Sequence, residues 1–200
     1  MAMKGIAFEP AFPIDLYFHE GNNASRRTFF FYARPNHFRN LFLRGLDAIN
    51  SAVLCGSLRP DDWDFHFVGH DIPPVALPHG VEPTCSEDMP WTEYAALIRT
   101  VDIGVSLMNS PHPSYPPLDL AACGAVAVTN RFGSKSSLTE YSANILCAEP
   151  STDALANAIA DAVELADDDE RRAANYASSG ICRDWLVSLG PALDNLHAAL

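Results

Sequence analysis

Short apolar runs alternate with amphipathic stretches along most of this chain. Residues 27–32 read RTFFFY, a run of β-favouring side chains that predicts a strand. Arg34-Pro35 breaks it, and from Asn36 the period becomes helical, with Phe38, Phe42, Leu46, Ile49 and Val53 on one face. Residues 63–69, WDFHFVG, predict the next strand, with Phe65 and Phe67 on one side and His66 on the other. A Pro-rich connection over 71–88 follows, with a short edge strand expected at 75–77. Residues 90–99 predict a helix and 103–108 a strand. The stretch SLMNSPHPSYPPLDLAACGAVAVTN, 106–130, then reads as strand end, Pro-rich loop, short helix, Gly stop and strand. Pro116 or Pro117 can open that helix, since a first-turn proline gives up an amide that had no partner. Gly124 can close it in the left-handed conformation, and 125–129 suits a buried parallel strand. Beyond a loop with Gly133 and Lys135, a short helix is expected at 137–141 and a strand at 144–148. A helix over 153–165 follows, capped by Ser151 or Thr152 and facing the core with Leu155, Ile159 and Val163. Further helices are expected at 170–178 and 184–196. Strands and helices alternating at this spacing predict an α/β fold: a Rossmann-like, doubly wound, mostly parallel sheet flanked by helices.

Composition narrows the function. Two hundred residues suit one domain of good size. A net charge of −12, with only 13 Lys and Arg, excludes a broad nucleic-acid surface. It also means that any basic groups serving an anionic ligand must be placed locally. The five scattered cysteines, Cys55, Cys85, Cys123, Cys147 and Cys182, contain no CxxC pair and read as free thiols of a reducing compartment. No apolar run is long enough to span a membrane, and no leader is visible, so a cytoplasmic protein is expected.

Two features carry chemistry. The strand, tight loop and helix over 27–53 would aim backbone amides at an anion, with Arg34 in the loop and Arg39 in the first helical turns. Guanidinium suits phosphate through its planar two-pronged fork. Asp119 falls in the first turns of the helix after the Pro-rich loop, near the carboxyl end of a strand, where open α/β sheets bind ligands. No GxGxxG, Walker or GxSxG motif occurs, which excludes dinucleotide, P-loop and nucleophile-elbow readings. Asp64, His66, His70 and Asp71 follow no metal-ligand template.

The segment SPHPSYPPLDLAACGAVAVTN resembles the nucleotide-sugar-binding segment of the C-terminal domain of retaining GT-B glycosyltransferases of family four, above all the WsaF-like rhamnosyltransferase branch. FFFYARPNHFRNLFLRGLDAI before it and TNRFGSKSSLTEYSANI after it agree in order and spacing, so the resemblance spans roughly residues 7–178. It implies a single GT-B C-terminal half: an arm or interdomain linker remnant at 1–24, then a nucleotide-sugar-binding domain at 25–200. It implies that Arg34 and Arg39 hold the diphosphate, with amides near Ser114, Tyr115 and Pro116, while Asp119 accepts the ribose hydroxyls. Arg34 would also act catalytically, stabilising charge on the departing diphosphate. Lys135 reads either as a further phosphate ligand or as a surface lysine, and the base slot is expected around Val81 and Pro83. Two departures from the family pattern stand out. Its first acidic residue would fall at Pro111, and 85–89 lacks the usual second basic residue.

The activity so implied is hexosyl transfer from a nucleotide-diphosphate sugar, dTDP-rhamnose among the candidates, in bacterial surface-polysaccharide synthesis. No metal or cofactor is expected. An N-terminal acceptor domain or partner chain would be needed, the isolated domain would be inactive, and the protein could sit peripherally at the inner face of the plasma membrane. The alternative is a non-catalytic nucleotide-sugar-binding or interaction module.

Overall fold

The computed structural model describes residues 8–20 and 25–197. Of the expected arm at 1–24, residues 8–20 are therefore in view and the rest lies outside the described residues. Six strands pair in parallel throughout: β1 (Arg27–Ala33), β2 (Trp63–Gly69), β3 (Thr84–Glu87), β4 (Ile103–Val105), β5 (Val126–Asn130) and β6 (Ile145–Ala148). Their order in the sheet is β3-β2-β1-β4-β5-β6. This is the doubly wound order, and its reversal point lies between β1 and β4, where a crevice opens at the strands' carboxyl ends.

The run of three phenylalanines in β1 explains the layering. Phe29 and Phe31 enter one core, with Ile49 and Val53 of helix α1 (Phe42–Leu54) and Leu155 and Ile159 of helix α4 (Thr152–Asp167). Phe30 enters the other, with Ile98 of helix α2 (Trp91–Ile98) and Leu118 and Leu120 of helix α3 (Tyr115–Ala122). Full burial of such a side chain stabilises by roughly 2–3 kcal/mol, so β1 is the strand on which both layers depend. The arm joins the second core. Phe12 and Tyr17 are buried there, and the Phe12 amide donates to the Cys182 carbonyl at 2.8 Å. The chain closes with α5 (Asp169–Ala177) and α6 (Trp185–His197).

Several expectations are corrected. Helix α1 begins at Phe42, not at Asn36, because the loop before it is tied down elsewhere. Buried Asn40 accepts from the Arg34 amide (3.4 Å) and donates to the Leu107 carbonyl (3.2 Å), which fixes the chain across the sheet end before a helix can start. Phe38 is consequently solvent-exposed at 89 % rather than part of the core face. The edge strand lies at Thr84–Glu87, not at 75–77. Its sequence, TCSE, gives no apolar signal because an edge strand with an open face buries little. Residues 137–141 form a single turn on the Leu138 carbonyl, not a helix. Cap and stop residues behave as expected at Ser151, whose side chain accepts from the Ala154 amide, and at Gly124, which closes α3 at φ +80°. No helix among the described residues is long and apolar enough to cross a membrane.

Candidate functional site

At the carboxyl ends of β1 and β4 lies a cleft of about 520 Å³. Arg39 walls it from the β1–α1 loop, Trp91 and Tyr94 from α2, Met108 from the β4 exit, and Ser114, Tyr115, Pro116 and Asp119 from the start of α3. A second hollow of about 360 Å³ adjoins it, sharing Tyr32, Met89 and Tyr94 and adding Arg34 and His70. Strand order explains the convergence. The loops after β1 and β4 leave adjacent strands for opposite faces, so they part and leave space between them.

Among the described residues, neither Arg34 nor Arg39 pairs with a carboxylate. In a chain with 25 Asp and Glu, most other arginines do pair: Arg27, Arg59, Arg99, Arg131 and Arg172 each meet an acidic side chain. Two guanidinium groups without acidic partners therefore line the cleft and its adjoining hollow, that of Arg39 over the Phe38 ring at 5.7 Å.

The acidic member is unusual in a different way. Asp119 is 5 % exposed, one turn into α3. Burial pushes its carboxyl up to about 7, and the phenols of Tyr94 and Tyr17 hold it from rising further. Tyr94 Oη donates to Asp119 Oδ2 at 3.1 Å. The same burial, with the Asp119 charge beside it, pushes Tyr17 up to about 12.

The loop that opens α3 is built for position. Ser114 stands at φ 72°, ψ 159°, a backbone region that non-glycine residues rarely enter. Its amide donates to His112 Nδ1 (3.0 Å) and its hydroxyl to Met108 Sδ (3.1 Å). Buried Asn130 grips the Met108 backbone from β5, accepting from its amide (2.6 Å) and donating to its carbonyl (3.2 Å). With Pro116 and Pro117 lacking N–H groups and the Ser114 amide given to His112, the amide of Tyr115 is the donor left in the first turn.

The structure thus brings Arg39, Ser114, Tyr115, Pro116 and Asp119 to one cleft and Arg34 to the hollow beside it. It does not bring Lys135 there. Lys135 is 3 % exposed and donates from Nζ to the Met108 carbonyl at 3.1 Å, behind the cleft wall. It is neither the surface lysine nor the phosphate ligand considered from sequence, and burial pulls its pKa down. Val81 and Thr84 line a depression with Trp63 and His66, at the amino ends of β2 and β3. A base slot on Val81 therefore sits at the wrong end of the sheet. Among the described residues no group of three or more His, Cys, Asp or Glu could hold a metal ion. Sequence reasoning missed Tyr17, Tyr94, Asn40 and Asn130. Tyr94 carried a local signal, a phenol on the flank of an amphipathic helix. The contacts of Tyr17 and Asn130 are set by tertiary packing alone.

The profile of the family described as WsaF, C-terminal domain, matches residues 27–160. The O-antigen biosynthesis protein RfbC of Myxococcus xanthus is 34% identical over 165 residues, 80% of this chain but 12% of that protein. Among solved structures, Anabaena Alr3699/HepE in complex with UDP-glucose aligns with a TM-score of 0.66 at 16% identity, over 96% of this chain and 57% of that one. An α,α-trehalose-phosphate synthase (UDP-forming) from Burkholderia xenovorans aligns at 0.65 and 14% identity, over 86% of this chain and 44% of that one. The shared architecture is that of one half of a GT-B glycosyltransferase, and this chain spans about half the length of those structures.

Proposed function

This chain belongs to the WsaF C-terminal domain family, and from that premise we propose that it is the donor-binding half of a glycosyltransferase, holding a nucleoside diphosphate sugar in the cleft between β1 and β4. One observation carries the reading. Two arginines without acidic partners and one buried carboxylate flank the reversal point of a strongly acidic chain. Diphosphate needs fixed cationic donors, and the ribose needs an acceptor; Arg34 with Arg39 and Asp119 are those groups. The amide of Tyr115 at the head of α3 adds a neutral donor to the diphosphate. In transfer, charge grows on the departing diphosphate, and Arg34 lowers the barrier by meeting it.

The donor is a nucleoside diphosphate sugar, dTDP-rhamnose the leading candidate, and the acceptor is a growing surface polysaccharide at the inner face of the plasma membrane. The acceptor-binding half lies in another part of a longer chain or in a partner, and no metal is required. The similarity to an O-antigen biosynthesis protein supports this setting. A panel of nucleoside diphosphates tested by thermal shift checks the reading. The deoxythymidine or uridine compound is expected to raise the melting temperature, and adenosine and guanosine compounds to raise it less. Equal silence from all of them overturns it. A non-catalytic binding module would show the same shift, yet give no sugar transfer once an acceptor half is supplied.

A further inference from the structure

Asp119 is faced by phenols from two separate elements. Tyr94 Oη reaches its Oδ2 from α2. Tyr17, on the arm ahead of β1, stands beside the same carboxylate, lining a hollow with it, Tyr94 and Trp91. The arm is held in place for this contact. Arg183 Nη1 donates to the carbonyls of Tyr17 (3.0 Å), Phe12 (3.4 Å) and Ala122 (3.0 Å). Ala122 ends α3, the helix that carries Asp119, so one guanidinium ties the arm to that helix. The Phe12 and Tyr17 rings pack edge to face at 5.4 Å. A carboxylate offers roughly four lone-pair directions. Tyr94 fills one of them, Tyr17 stands beside the group, and room remains for two hydroxyls of a ligand.

We propose that Tyr94 and Tyr17 are positioning residues of the nucleotide site: they fix the orientation of Asp119 and keep it an acceptor, and through Tyr17 the arm at residues 8–20 is part of that site. The proposal rests on the reading of Asp119 as the ribose acceptor. Around Asp119 the titratable and charged groups are Tyr94 of α2, Tyr17 of the arm, Cys123 one turn along α3, and Arg39, Tyr32, His112 and Tyr115 along the cleft. Arg99 and Arg183 stand by Cys123. Tyr94 is the group that hydrogen-bonds the carboxylate, and Tyr17 is the second phenol beside it. Loss of either raises the Asp119 midpoint and leaves a neutral acid, a poorer acceptor, at neutral pH. The effect reverses as the pH rises.

The test uses the full chain and its Tyr94→Phe, Tyr17→Phe and Asp119→Asn variants. The Asp119 carboxyl is titrated by carbon NMR without ligand, and binding of deoxythymidine and uridine diphosphates is measured across pH by calorimetry. In each Phe variant the Asp119 midpoint is expected to rise by about one unit. Affinity is expected to fall about fivefold at neutral pH and to recover at alkaline pH, while the Asn variant stays weak throughout. An unmoved midpoint, or a loss of affinity equal at every pH, overturns the positioning role even where the wild-type chain binds. Failure of the wild-type chain to bind either nucleotide overturns the donor reading instead, and with it the link from the tyrosines to a ribose. The ligand-free titration keeps those two failures apart.

Discussion

Asp119 carries the sharpest expectations at the scale of single residues. Its folded-state midpoint of about 7 lies well above the ordinary carboxyl value. The folded chain therefore holds that proton more tightly than the unfolded chain does. The associated stability is fully present below about pH 4 and declines by ~1.4 kcal/mol per pH unit until it is lost through about pH 7. Asp119→Asn, which has no charge to desolvate, should gain stability over wild type at pH 8 and lose its advantage at pH 4. The same variant should lose nucleotide affinity at pH 8 but differ little from wild type at pH 4, where Asp119 is itself protonated, and melting curves paired with titrations check both halves. Arg34→Ala and Arg39→Ala should each weaken nucleoside diphosphate binding by ten- to a hundredfold, about 1.5–3 kcal/mol for a charge-assisted hydrogen bond. Nucleoside affinity should barely change, because the phosphates are what the arginines hold. These residues were legible in the sequence because each sits where a strand gives way to a helix, and that place follows from local pattern. Lys135 was not, since nothing local distinguishes a lysine turned in on the Met108 carbonyl from one in solvent. Lys135→Met should change nucleotide affinity less than threefold, since its amine touches the back of the wall; a larger loss in the same titration would return it to the phosphate site.

Elements follow the same division. The central strands and α4 were legible from period and composition, and β2 spans the residues its pattern predicted. The start of α1 was not, because the periodic positions run back through Phe38 while the Asn40 contacts to Arg34 and Leu107 set the boundary at Phe42. Polar β3 was missed for the reason that makes it an edge. At the loop before α3 the sequence showed two prolines and a serine but not the strained backbone of Ser114. That conformation suits glycine, so Ser114→Gly should stabilise the chain by about 1 kcal/mol, a rise of roughly 2–4 °C for a domain of this size. The gain is reduced by whatever the hydroxyl contact to Met108 contributes. A fall in melting temperature would mean the side chain, not the backbone, dominates that turn. Gly69 shows the opposite case. A Cβ there would stand 1.6 Å from the Ala33 carbonyl oxygen, so β1 and β2 can end side by side only with glycine at that position.

For the molecule as a whole, the reversal of strand order turns two ordinary loops into a cleft, and the acidic composition makes two arginines without acidic partners informative. The arm and the last helix differ in how they belong to the fold. The arm supplies buried Phe12 and Tyr17. Helix α6 buries no residue, and Leu186 and Val187 stand 77 % and 68 % exposed on it. Replacing that pair with Glu and Lys should leave chemical stability within about 0.5 kcal/mol, whereas Phe12→Ala should lower it by roughly 3 kcal/mol or more; urea melts of the two variants separate integral from peripheral segments. The central claim is that the cleft between β1 and β4 holds a nucleoside diphosphate. Calorimetric titration of the full chain with deoxythymidine diphosphate, beside Arg39→Ala and Asp119→Asn, tests it most directly. Saturable one-to-one binding that both substitutions weaken at least tenfold is the predicted result; binding that survives both unchanged would place the nucleotide elsewhere and contradict the account.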